Sequence, residues 1–101
     1  EMIVIDPGIG FGKTFDQNLI LLKRIDFFST LEKPILIGAS RKAFIGKILD
    51  ESVAANRGYG TLAAVAMSVM KGAAIVRVHD VKPAVQVCRV CEAIIREKIT
   101  P

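Results

Sequence analysis

Met2-Ile3-Val4-Ile5-Asp6-Pro7-Gly8-Ile9-Gly10-Phe11-Gly12-Lys13-Thr14 is the stretch on which the reading of this chain turns. A short apolar run, β-branched after Met2, stops at a carboxylate. A turn follows that carries glycines, an aromatic ring and a lysine. Residues 2–5 read as a buried strand, and Asp6 is delivered from its end into a loop of exposed backbone. In α/β proteins such strand-end loops are where small molecules bind.

The same design recurs twice downstream. Thr14, with Gln17 three residues on, is a capping box for a helix expected from Phe15 to Phe27 or Phe28, with Leu19, Leu22 and Ile25 facing a sheet. Pro34-Ile35-Leu36-Ile37-Gly38 reads as a second strand, ending in Gly38-Ala39-Ser40. Ser40 reads as the N-cap of a helix that begins at Arg41 and breaks near Asp50. Residues 50–57 read as a loop and 59–71 as a helix closed by Gly72. Ala73-Ala74-Ile75-Val76-Arg77-Val78 reads as a third strand running into His79-Asp80. A last helix is expected from about Pro83 to Lys98, with Val87, Cys88, Cys91, Ile94 and Ile95 as its apolar face. The order β-α-β-α-β-α, with strands starting roughly 35 residues apart, predicts a parallel sheet with right-handed crossovers.

Composition bounds the function. The 101 residues allow at most one domain, and 51% hydrophobic with 24% charged fits a packed core rather than disorder. The net charge of +4 is modest and the cations are scattered, which does not point to nucleic acid; an anionic small substrate accounts for it equally well. No apolar run approaches the ~20 residues that span a bilayer, so no membrane partner is expected. Cys88 and Cys91, one helical turn apart, read as reduced thiols, and the compartment as cytoplasmic. The chain starts at Glu1 and enters a core strand at once, so we expect a larger N-terminal part in the parent protein.

All the unusual polar groups fall at strand ends. Asp6 closes the first strand, Ser40, Arg41 and Lys42 follow the second, and Arg77 and His79, two apart, close the third on one face. One carboxylate beside several cations suits a donor-rich heterocycle with an anionic tail. Asp6 can accept two parallel N–H bonds from a 2-amino-4-oxo ring. Arg77 can stack on a flat ring or fork onto phosphate oxygens, and His79 can donate to an oxyanion. Each group alone has a plainer reading: Asp6 as part of a turn, Ser40 as a cap, Lys42 as a solvated lysine, His79 as a structural histidine. Arg77, between Val76 and Val78, needs a partner. Three such clusters, each at a strand end, argue for a common site.

Three segments carry a resemblance to a known family: Asp6-Pro7-Gly8-Ile9-Gly10-Phe11-Gly12-Lys13, Gly38-Ala39-Ser40-Arg41-Lys42-Ala43-Phe44-Ile45-Gly46 and Arg77-Val78-His79-Asp80-Val81. In order and spacing they resemble signature segments of the dihydropteroate synthase family. The resemblance implies a (β/α)8 TIM barrel of the pterin-binding kind, of which residues 1–101 would be about three βα units, the sixth to eighth. It implies a transferase of folate biosynthesis. The reaction condenses 6-hydroxymethyl-7,8-dihydropterin diphosphate with 4-aminobenzoate, giving 7,8-dihydropteroate and pyrophosphate, and sulfonamides would compete for the aminobenzoate pocket. It further implies a homodimer for the full-length protein.

Carried over by residue, the resemblance implies that Asp6 holds the pterin edge. Lys42 would reach its carbonyl side and border the aminobenzoate pocket. Arg77 would stack on the pterin and grip the diphosphate together with His79. Phe11 and Ser40 would line the aminobenzoate site, and Gly10 and Gly38 would leave room for ligands. The catalytic set is thus Asp6, Lys42, Arg77 and His79. Magnesium is implied as cofactor, its ligand being an asparagine of the family's first strand that lies outside this chain. Ala43 stands where the family often has Ser, and Ile9 where it often has Phe. The isolated chain is expected to be inactive or nearly so. The alternatives are an inactive binding or interaction module derived from this fold, or a pterin-binding methyltransferase, which would not need the Arg77/His79 pair.

Overall fold

The apolar runs that read as strands do lie side by side and parallel, but as short pieces. A computed structural model describes residues 4–10, 12–31 and 33–99. In chain order it contains α1 (Phe15–Lys23), a 3-10 segment (Ile25–Leu31), β1 (Leu36–Ile37), α2 (Ala43–Leu49) and a second 3-10 turn (Ala54–Asn56). Then come α3 (Gly58–Met70), β2 (Ile75–Val76) and α4 (Val81–Arg96). β1 pairs in parallel with β2, Leu36 opposite Ile75 and Ile37 opposite Val76. On the other side of β1, Ile5 forms a single parallel bridge with Ile35. Of the expected first strand, Met2 and Ile3 lie outside the described residues. β1 is therefore central, and every group that follows Ile5, Ile37 or Val76 emerges at the same end.

Alternation along the strands separates two faces. Ile35 and Ile37 turn into a core with Leu22, Ile25, Phe44, Ile45 and Ala64 from the helices. Val76 and Val78 pack with Val65, Val69 and Cys91 where α3 meets α4. The opposite face carries Leu36, Gly38, Ile75 and Arg77, with Val4 and Asp6 beside them. Val4 is 40% exposed and Ile75 42%, so this face lies open.

Several helix limits differ from the sequence-based expectation. The Thr14 box is present: Gln17 N–H donates to Thr14 Oγ1 at 3.1 Å, and Thr14 N–H to Gln17 Oε1 at 2.9 Å. α1 nevertheless ends at Lys23, and the chain tightens into a 3-10 segment that carries Ile25 fully into the core. Leu19 stays 42% exposed instead of facing the sheet, because burial follows Leu22 and Ile25. α2 begins at Ala43, two residues later than expected, with Lys42 in the cap position and no side-chain cap bond. Asp50 closes it in the left-handed conformation, φ 54°. In α4, Pro83 sits in the first turn, where no helical N–H bond is lost. Its packed face is Ala84, Val87, Cys88 and Cys91; Ile94 and Ile95, expected to join them, are 60% and 48% exposed.

Candidate functional site

β1 and β2 set the first pair of functional groups by register. Arg77 N–H donates to Ile37 C=O at 2.9 Å, which places Arg77 alongside Gly38. A Cβ built on Gly38 would lie 2.8 Å from Arg77 Cζ and 3.1 Å from Nε. The guanidinium thus occupies the space a side chain at position 38 would fill. It crosses β1 and reaches Asp6 at the end of the next strand, Nη1 to Oδ2 3.9 Å. Asp6 also accepts the Gly8 N–H, at 2.8 Å, through its other oxygen. Both side chains remain open to solvent, 55% for Arg77 and 40% for Asp6. An arginine in an apolar strand has found its partner here without being buried.

The loop after Asp6 is shaped by a residue that sequence reasoning passed over. Asn18 lies on α1 where a polar side chain would ordinarily face water, yet it is 2% exposed. Its Oδ1 accepts the Gly10 N–H at 2.8 Å. Gly10, at φ 87°, presents its open side to Lys42: a Cβ there would stand 3.0 Å from Lys42 Cδ and 3.5 Å from Cε. The lysine stem therefore lies across Gly10, in the loop that follows Asp6. Phe11 lies outside the described residues.

The corner after β1 departs most from expectation. Arg41 has φ 55°, the left-handed conformation that a non-glycine residue adopts at a cost. Its N–H donates to Thr61 Oγ1 at 2.9 Å, its C=O accepts from Arg57 Nη1 at 3.0 Å, and its guanidinium holds both Asp80 oxygens at 3.1 and 3.2 Å. Arg57 also donates to Glu51 C=O and Ser52 C=O, at 3.1 and 3.0 Å, filling the space above Gly46. So Ser40 is not a helix cap. The kink sends its hydroxyl to His79 instead, 2.8 Å from Nδ1, with the His79 N–H donating to it at 3.2 Å. Thr61 and Arg57 carried no local signal: nothing in a helix-start threonine or a loop arginine says which distant backbone it serves.

Gly38, Ser40, Lys42, Arg77 and His79 line a hollow of about 440 Å³, with Asp6 at its edge through Arg77. A larger hollow of about 1110 Å³ runs along α4 past Val81, Val85 and Ile94. Chemistry, not size, decides between them. The smaller one is lined by Arg41, Lys42 and Arg77 with the His79 imidazole, and Arg77 links it to the Asp6 carboxylate, which suits a ring with paired donors and an anionic tail. Among the described residues no cluster of three or more His, Cys, Asp or Glu could hold a metal ion. Asp6 is already engaged by Arg77 and Gly8, so the described residues do not make a magnesium site. No described helix is long and apolar enough to cross a membrane.

The family described as "Pterin binding enzyme" matches residues 1–79. A dihydropteroate synthase from Synechocystis is 48% identical over 96 residues, covering 95% of this chain and 33% of that protein. One from Bacillus subtilis is 42% identical over 95 residues, with 94% and 33% covered. Among solved structures, the dihydropteroate synthase of Clostridium difficile determined in the presence of pteroic acid superposes with a TM-score of 0.89 at 45% identity, over 93% of this chain and 35% of that one. The chain spans about a third of the length of these relatives. The family match, these identities and the shared fold lead to one conclusion: the chain belongs to the pterin-binding enzyme family.

Proposed function

We propose that this chain provides the substrate-gripping strand ends of a dihydropteroate synthase. In that reading its parallel strands are the sixth to eighth of a (β/α)8 barrel, and residues 1–101 are one piece of that domain. The observation that carries the proposal is the lane across β1: Arg77 passes over Gly38 to meet Asp6, with Lys42 and His79 on the same rim.

Each role follows from the chemistry of its group. Asp6 accepts paired N–H bonds from the pterin edge, a better partner than an arginine held at 3.9 Å. Lys42 donates to the ring carbonyl and borders the 4-aminobenzoate pocket. Arg77 covers the ring and, with His79, receives the diphosphate. The C–O bond to diphosphate breaks, the aminobenzoate nitrogen forms the new C–N bond, and one amine proton is released. Donors aimed at the departing diphosphate are the main catalytic contribution of these residues. Phe11, Gly10, Gly38 and Ser40 surround the ligands. Sulfonamides are competitors for the aminobenzoate pocket, the parent protein is a cytoplasmic homodimer, and magnesium is held by groups other than the described residues. By itself the chain binds but does not turn over.

The test is to put this chain in place of the matching third of the Synechocystis relative and to follow pyrophosphate release with pterin diphosphate and 4-aminobenzoate. Activity is expected, and Arg77→Ala should lower it by roughly 10²–10³-fold, the effect of losing one donor to a developing anion. A folded chimaera without activity, or one indifferent to Arg77→Ala, overturns the proposal.

A further inference from the structure

Ser40 is 6% exposed, it caps no helix, and both of its hydrogen bonds go to His79. A serine hydroxyl has one hydrogen and two lone pairs. The His79 N–H, at 3.2 Å, takes one lone pair. The 2.8 Å contact with Nδ1 then has two possible senses. If Nδ1 carried the ring proton it would fill the second lone pair, and the hydroxyl hydrogen would need a further acceptor. Among the described residues the Ser40 hydroxyl has no partner other than His79. A buried donor left unmade is costly. If Oγ–H donates to Nδ1, the hydroxyl hydrogen is used as well as its lone pair, and the ring proton of the neutral imidazole must sit on Nε2.

We infer that Ser40 is a positioning residue that fixes neutral His79 as its Nε2–H tautomer, so that the ring offers a donor to an anionic oxygen in the hollow beside Arg77. The inference rests on the proposed function only for the identity of that anion, a phosphate oxygen of the pterin substrate. It gives Ser40 a role apart from lining the aminobenzoate pocket. The Arg41–Asp80 pair, one residue further along both segments, ties the same junction together. Removing the Ser40 hydroxyl should therefore free the ring; it also takes the acceptor from the His79 N–H, while the Arg41–Asp80 pair still holds the two segments together.

His79 is the single histidine of the chain, so its ring nitrogens can be read without assignment. The experiment is a long-range ¹H–¹⁵N correlation spectrum of the ¹⁵N-labelled chain on the neutral-imidazole plateau of a pH titration. The wild type, Ser40→Ala and Ser40→Thr are compared, with the backbone amide spectrum as a check on folding. In the wild type Nε2 should be pyrrole-like and Nδ1 pyridine-like, the Nε2–H form leading by roughly tenfold or more, as an unmade buried bond demands. Ser40→Ala should reduce that ratio and bring the two shifts together; Ser40→Thr, which keeps the hydroxyl, should restore it. A wild type protonated on Nδ1, or equal separation in the wild type and a folded Ser40→Ala, overturns the inference. Should Ser40→Ala lose its fold, the wild-type shifts alone decide.

A titration with pyrophosphate separates this inference from the wider reading. The inferred tautomer with an Nε2 that ignores pyrophosphate supports the role of Ser40 and sinks the diphosphate site. A pyrophosphate-sensitive ring protonated on Nδ1 does the reverse.

Discussion

Gly38→Ala should uncouple the site from the fold. Gly38 does not use a left-handed backbone, so alanine is allowed there, and the whole conflict falls on Arg77. The new Cβ would stand 2.8 Å from Cζ, well inside ordinary van der Waals contact. The guanidinium is the free end of a flexible, 55% exposed side chain and is what must give way. The Asp6–Arg77 separation is already 3.9 Å, so a shift away from β1 breaks the pair. An exposed ion pair of this kind contributes about 0.2–1 kcal/mol after screening. Replacing glycine at a compatible position returns about 0.4–1 kcal/mol through the unfolded chain. The two nearly cancel, and the melting temperature should move by less than about 5 °C.

Anion binding should not be spared in the same way. A hydrogen bond to a charged group contributes about 1.5–3 kcal/mol, so pyrophosphate affinity should fall roughly 10- to 150-fold. Thermal melts followed by circular dichroism read the first quantity, and titration calorimetry with pyrophosphate reads the second. Unchanged affinity would refute the role given to the lane across β1. A loss of stability beyond about 3 kcal/mol would show that packing at Gly38 involves more than the arginine tip.

Asn18→Ala removes the acceptor of the exposed Gly10 N–H, a part-buried bond, and should cost about 0.5–1.5 kcal/mol, seen as a lower melting temperature and faster hydrogen exchange at Gly10. Arg57→Lys cannot span three carbonyls with one ammonium group. It should destabilise by about 1–3 kcal/mol and broaden the amide signals of residues 40–42. Burial first, then the neighbouring Cys91 and Glu92, pushes the Cys88 thiol up from its ordinary 9.0. Alkylation of Cys88 at pH 8 should therefore be slower than that of free cysteine. The unfolded thiol ionises before the folded one, so the contribution is intact below the unfolded value and is lost as pH rises through the folded one. Denaturant midpoints should fall above about pH 9, and Cys88→Ser should flatten that fall.

What could be read in advance was local. The Thr14/Gln17 box involves neighbours in the chain, and it formed as written. The apolar runs ending at Asp6, Gly38 and Arg77 could be aligned because a parallel sheet places successive strand ends on one side. The helix start at Ser40 could not, although serine is a favoured cap. Its hydroxyl was claimed by a histidine 39 residues away, and the backbone beside it was turned by Thr61 and Arg57. Asn18 and Gly10 show the same limit, since a buried acceptor on α1 differs from a solvated one only when the loop arrives.

Sequence by itself therefore determined the βα alternation and the set of polar groups at the strand ends, because periodicity and capping act over a few residues. Tertiary structure decided which of those groups touch: Arg77 with Asp6 over an empty Gly38, Lys42 over Gly10, and Ser40 with His79. Those pairings depend on register and on one left-handed residue, Arg41, held by partners far along the chain. A conformation paid for by distant hydrogen bonds leaves no mark in the neighbouring residues.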